Sequence, residues 1–311
     1  MKFARQLVAT TEQRNPRSRN LDLKSTREIL RIINHEDAQV ARAVRREIPK
    51  VARAVDEIAA RLLKGGRLFY LGAGTSGRLG VLDASEIRPT FGTPASMVQG
   101  IIAGGSRALT SAVEGAEDSA PQGANDLRVK KITSRDVVVG LASSGTTPYV
   151  LGGLQFARRR GAFTIAVTSN SHAPVSRLAR VTIAPATGPE VIAGSTRMKS
   201  GTAQKMVLNM LSTAAMVRLG HVFDNWMINV AKTNRKLKGR ALRILQEATG
   251  ADSLTAGHAM RQAGHDLRVA VAMLKTGATA ARARRKLAAE HGNLRRAIER
   301  TGAPHRGASR D

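Results

Sequence analysis

Apolar residues recur at helical spacing over residues 25–62: Ile29, Leu30, Ile33, Val40, Val44, Ile48, Val51, Val55 and Ile58. This spacing predicts helix. The rhythm then changes to short, unbroken apolar runs that each end in Gly, Ser or Thr: RLFYLGAG, MVQGIIAGG, DVVVGLASSG, FTIAVTSN and RVTIAPATG. Helix-like segments separate most of them. Continuous apolar strands alternating with helices predict a parallel sheet covered on both faces, an α/β fold. After Gly239 the pattern turns to Ala/Arg/Leu-rich helical segments broken at Gly250, Gly257, Gly264, Gly277 and Gly292, with a polar tail, HRGASRD. The expected organisation is a helical arm over 1–50, an α/β domain over 51–238 and a small helical domain over 239–311.

An open α/β sheet places ligands at the carboxyl ends of its strands, and the notable loops fall there. Gly72-Ala73-Gly74-Thr75-Ser76-Gly77 has the G-x-G-x-x-G spacing of a dinucleotide fingerprint. That site requires an acid about 20 residues on for the ribose hydroxyls, yet no Asp or Glu occurs between Ile87 and Val113. Arg107 leaves an NADP variant open, but weakly, and neither NAD nor NADP is expected to bind. Thr75 and Ser76 stand where free backbone N–H groups open a helix, which suits a compact phosphate or a sugar hydroxyl; capping of the helix is the alternative. A second loop repeats the design: strand, then Ser143-Ser144-Gly145-Thr146-Thr147, then a helix opened by Pro148. Two such turns in one sheet suit a phosphorylated sugar better than an extended dinucleotide. A third polar loop, GPEVIAGSTRMKSGTAQK, brings Ser195, Thr196, Arg197, Lys199, Ser200 and Thr202 to the mouth of another helix. Its cations could complement an anion or simply be solvated.

Two acidic clusters add chemistry. Asp83 and Glu86 share one face at i, i+3 on the helix after the first loop, and Glu114, Glu117 and Asp118 follow the second strand. Carboxylates beside a sugar-phosphate pocket can act as general acid and base; helix capping or surface solvation is the alternative. The chain contains no cysteine, and its seven histidines form no ligand-like spacing. No metal is therefore expected, nor any disulfide, and a reducing, cytoplasmic setting fits. The first twenty residues lack an unbroken apolar stretch, so no signal peptide is expected. MVLNMLSTAAMVRLG is too short and too interrupted to span a membrane.

Charge raises a competing possibility. There are 50 Lys and Arg against 23 Asp and Glu, a net +27 over 311 residues, which attracts polyanions. Residues 235–311 carry 17 of the basic and 6 of the acidic side chains, so the excess is enriched there but present throughout. With 1 Trp, 2 Tyr and 6 Phe there are few platforms on which bases can stack. No helix-turn-helix or zinc spacing occurs. A nucleic-acid partner is not expected.

Taken together, LGAGTSGRLGVLDASEIRPTFG, VEGAEDS, SSGTTPYV, GPEVIAGSTRMKSGTAQKMVLNMLSTAAM and the earlier RNPRSRNLDLKSTREILRIIN resemble the N-acetylmuramic acid 6-phosphate etherase family of the sugar isomerase (SIS) superfamily. The similarity runs in order from about residue 12 into the helical C-terminal region. It implies an SIS fold, a cytoplasmic homodimer without cofactor, and cleavage of the D-lactyl ether of N-acetylmuramate 6-phosphate by elimination and then hydration. It implies Glu86 as the acid for the leaving ether oxygen and as a candidate base for the C2 proton, and Glu117 as the group that activates water. Thr75, Ser76, Ser143, Ser144, Thr147, Ser195 and Lys199 are then the candidate substrate-binding residues. Three departures stand out: Thr146 where the family's loop commonly has Arg, Asn229 where an Asp is expected, and Ile87-Arg88 inside the acid's helix. A non-catalytic sugar-phosphate regulator is the alternative within the superfamily, and retention of both glutamates favours the enzyme.

Overall fold

The computed structural model describes residues 10–229 and 235–302. The tail expected at 305–311 lies outside them, as do residues 1–9 of the N-terminal arm.

The helical rhythm of the N-terminal region is divided among three helices, α1 (Thr26–Asp37), α2 (Val40–Arg46) and α3 (Ile48–Leu63). Ser25 and Glu28 form a capping box at the start of α1, each side chain bonding the other's backbone N–H. Pro49 sits in the first turn of α3, where its missing N–H costs nothing. The apolar period runs across these breaks because α2 and α3 bury the same kinds of residue, Val40, Val44, Val51, Val55 and Ile58.

All five expected strands form: β1 (Leu68–Gly72), β2 (Val98–Ile102), β3 (Val137–Leu141), β4 (Phe163–Val167) and β5 (Val181–Ile183). They make one parallel sheet in the order β2-β1-β3-β4-β5. The connecting helices are α4 (Gly74–Phe91), α5 (Ala120–Val129), α6 (Pro148–Arg159) and the short α7 (Pro174–Leu178). Every residue of β1, β3 and β4 is buried, as a sheet covered on both faces requires. On one face Phe69, Leu71, Val138, Tyr149, Val150 and Leu154 pack in a continuous apolar cluster.

A 20-residue helix, α8 (Lys199–Arg218), follows. Beyond it come a small hairpin, β6 (Val222–Phe223) and β7 (Trp226–Met227), and the helices α9 (Arg235–Thr249), α10 (Ser253–Gln262), α11 (Leu267–Thr276), α12 (Ala280–Ala289) and α13 (Leu294–Gly302). The chain forms two compact units: residues 1–86 with 95–215, and residues 87–94 with 216–311. The second unit thus begins inside α8 and borrows the end of α4, whereas the sequence pattern places the boundary at residue 239. The shift is physical: a helix shows one unbroken period wherever its partners change along its length.

Candidate active site

Chain order reverses beside β1, and the ends of β1 and β3 are direct neighbours, with Gly72 opposite Leu141. The two hydroxyl-rich loops therefore leave the sheet side by side, where ligands bind in open α/β sheets. In the first, a Cβ on Gly77 would lie 2.8 Å from the Gly72 carbonyl oxygen, so only glycine lets the first turn of α4 pack this tightly on the end of β1. Ser76 is buried there and Thr75 is half-buried. In the second, Ser143 is buried; Ser144 and Thr147 are half-buried, and the Ser144 and Thr146 hydroxyls hydrogen-bond each other at 2.9 Å. Thr146, in the place of the expected Arg, thus holds its own loop.

The N-terminal part of α8 joins this group. Gln204 Nε2 donates to Ser143 Oγ at 3.3 Å, and Ser169 Oγ, just after β4, donates to Ser200 Oγ at 3.0 Å. Gly201 faces Thr75: a Cβ there would meet its methyl group at 3.6 Å, an ordinary contact distance. The amide oxygen of Gln204, Oε1, is buried and has no partner among the described residues, an acceptor left over at the floor of the loops. Ser195 lies half-buried in the turn before α8, its carbonyl accepting from the Met198 N–H.

Lys199 is used differently from the expectation. It is 1 % exposed, and its ammonium donates to Glu36 Oε2 at 2.5 Å. The same carboxylate accepts from Asn15 Nδ2 at 2.8 Å and from Arg17 at 3.1 Å. These bonds outweigh the burial that opposes its charge and hold the Glu36 carboxyl below its ordinary range. Glu190, fully buried, accepts the backbone N–H groups of Lys199 and Ser200 at 2.9 Å each. The start of α8 is therefore satisfied by the chain's own carboxylate, and the cation expected to meet a ligand meets Glu36 instead.

α4 and α8 run side by side in the same direction, Thr75 beside Gly201 and Asp83 beside Asn209 and Ser212. Between them is a cleft of about 270 Å³, walled by Leu79, Leu82, Asp83 and Glu86 from α4 and by Lys205, Leu208 and Asn209 from α8. Asp83 and Glu86 share this face, as their spacing predicts. Asp83 is buried and accepts from Asn209 Nδ2 at 2.8 Å and Ser212 Oγ at 3.2 Å, while its other oxygen has no partner among the described residues. The Tyr70 hydroxyl lies against it without reaching hydrogen-bond geometry; burial and the neighbouring carboxylate push that phenol well above its usual pKa. Glu86 is exposed. Ten residues separate it from Ser76, about 15 Å along the helix axis.

Glu117 does not line this cleft. It sits, exposed, in a 3-10 turn (Ala116–Asp118) that packs against α6. Arg78 of α4 ties the preceding segment down, its guanidinium donating to the carbonyls of Ala108 at 2.9 Å and Leu109 at 3.3 Å. Sequence reasoning missed Gln204, Lys205, Glu190 and Glu36. Gln204 and Lys205 were within the third polar loop's own motif, and Gln204 stands at the i+4 spacing that continues the Ser200 face of α8.

Two family models match: the glucokinase regulatory protein N-terminal SIS domain over residues 50–158 and the SIS domain over residues 119–214. An N-acetylmuramic acid 6-phosphate etherase of Salmonella agona is 53 % identical over 93 % of this chain and 97 % of its own length. One of Yersinia pestis is 54 % identical over 93 % and 98 %. The chain belongs to the N-acetylmuramic acid 6-phosphate etherase family. A putative phosphosugar isomerase involved in capsule formation from Bacteroides fragilis, at 18 % identity, covers 67 % of this chain and 98 % of its own with a TM-score of 0.51, and so shares the fold. In the etherase family's terms, the paired hydroxyl loops and the Glu86 cleft are the features that need a chemical account.

Proposed function

We propose that the protein cleaves the D-lactyl ether of N-acetylmuramate 6-phosphate, giving N-acetylglucosamine 6-phosphate and D-lactate. The observation that carries this reading is full-length similarity above 50 % to relatives named for that activity. The two adjacent hydroxyl loops support it. Thr75, Ser76, Ser143, Ser144 and Thr147, with the backbone N–H groups that open α4 and α6, offer donors for a phosphate and sugar hydroxyls.

In the open-chain sugar the C1 aldehyde acidifies the C2 proton. Glu86 takes that proton, the C2–C3 double bond forms as the C3–O bond breaks, and Glu86 passes the proton on to the departing lactate oxygen. Water then returns its hydroxyl to C3 and a proton to C2, with Glu117 as the base that activates it. Ser195 belongs to the rim of the same site, and Lys199 supports it through Glu36 rather than by touching substrate. Residence in the cytoplasm and assembly as a homodimer complete the proposal, on the strength of the family resemblance. Among the described residues no helix is long and apolar enough to cross a membrane.

Incubating the pure protein with N-acetylmuramate 6-phosphate and assaying D-lactate tests the reading directly. Stoichiometric lactate is expected. Sugar-phosphate binding without lactate would instead favour the regulator to which the match over residues 50–158 also points.

A further inference from the structure

Two anions distinguish the substrate: a phosphate at C6 and a carboxylate on the lactyl group. The hydroxyl loops can hold the first, but hydroxyls and amides alone supply little for the second, which calls for a charge-assisted partner. Two of the cations near the loops are committed, and Arg197, though exposed, is not among the residues that wall the Glu86 cleft. Lys199 is buried on Glu36, and Arg78 is spent on backbone carbonyls. Lys205 is different: it is exposed, lines the cleft that also holds Glu86, and has no side-chain partner among the described residues. Its position on α8 matters as well. Gln204, the residue before it, reaches the phosphate loop through Ser143, and one step along a helix turns the next side chain by about 100°, here towards the cleft. Lys205 thus stands on α8 between the phosphate cradle and Glu86, which lies about 15 Å along α4 from Ser76.

We propose that Lys205 recognises the lactyl carboxylate, and so distinguishes sugar phosphates that carry the ether from those that do not. This rests on the activity proposed above. An ammonium group in the cleft that Glu86 also lines holds the leaving group by its carboxylate, and the ether oxygen that the acid must reach is bonded to the same carbon that bears that carboxylate. Leu79, Leu82 and Leu208 complete the wall and give the lactyl methyl an apolar surface.

Three ligands separate the roles: N-acetylmuramate 6-phosphate, its lactyl methylamide, which lacks the charge, and N-acetylglucosamine 6-phosphate, which lacks the lactyl group. The wild-type protein is expected to lose roughly 10–100-fold in kcat/KM on going from acid to amide. Lys205→Met should lose about the same factor on the acid, show no further loss on the amide, and bind N-acetylglucosamine 6-phosphate as the wild type does. Lys205→Arg should recover part of the preference. A Lys205→Met protein that still prefers the acid, or that loses all three ligands equally, would overturn the assignment. If the wild type released no lactate at all, the proposed reaction would be wrong; calorimetric affinities for the acid and the amide, with and without Lys205, would still judge the carboxylate contact.

Discussion

The two units of the chain bury different things. Of the described polar and charged residues that are buried, Thr93 alone belongs to the helical unit; Asn15, Glu36, Asp83, Asp136, Ser143, Glu190, Lys199, Gln204 and the rest belong to the sheet unit. The helical unit is closed by small and branched apolar side chains, among them Leu245, Ala256, Ala259, Leu267, Ala270, Val271 and Leu294, and its helices are capped by half-buried or exposed Asp266, Asp252 and Thr279. Burying polar groups costs stability unless each finds partners. A fold that carries this cost in one unit and not in the other concentrates its positional specificity there, and that is where the hydroxyl loops and Glu86 lie.

The contrast can be tested by breaking each kind of contact. The largest effect is expected for Lys199→Ala, which among the described residues leaves buried Glu36 with only Asn15, Gln39 and the exposed Arg17 for partners. Removing one member of a buried pair costs about 3–5 kcal/mol. Denaturant titration should show that loss, and Lys199→Met with Glu36→Gln should recover part of it. A loss below about 1 kcal/mol would mean the pair contributes little.

A smaller effect, about 1 kcal/mol, is expected for Asp266→Ala, because its carboxylate caps α11 through the N–H groups of Arg268 and Val269 at 3.0 and 3.4 Å. Hydrogen exchange should show faster opening of α11 with the sheet amides unchanged. Protection lost across the sheet as well would contradict the separation of the two units.

The smallest and most graded difference is in pH. His221, half-buried beside Asn229, is held below its ordinary 6.5 first by burial and then by Arg268. Its folded pKa is lower than its unfolded one, so its contribution is complete above 6.5 and is lost as pH falls through the folded value. Glu36 and Asp136 are held below 4.5 and 3.8 by their hydrogen bonds and by Lys199 and Arg67, against the burial that opposes their charge. Their contribution is complete above those values and is lost only in stronger acid. Amide exchange measured between pH 7 and pH 4 should therefore loosen the helical unit first. His221→Gln should remove the early step, and if it does not, that step arises elsewhere.

Much of this was legible in the sequence. Strands announce themselves as buried apolar runs, and all five were placed by that signal. The hydroxyl loops follow from glycine and serine at strand ends, and the shared face of Asp83 and Glu86 follows from i, i+3 geometry. Contacts between distant segments were not legible. Lys199 meets Glu36 across 163 residues, and no local pattern reveals that a cation in a polar loop is already paired. The division of residues 25–62 into three helices was hidden because the apolar period continues through the breaks. The start of the helical unit was hidden because α8 is unbroken through it. Lys205 stood in view inside the third motif, but its use depends on the cleft formed by α4 and α8.

Glu86→Gln tests the central claim most directly. The substitution keeps the shape and hydrogen-bonding reach of the side chain and removes the proton it would transfer. D-lactate release from N-acetylmuramate 6-phosphate is expected to fall about 10²–10⁴-fold, while N-acetylglucosamine 6-phosphate binds as it does to the wild type. Turnover near the wild-type rate would contradict it.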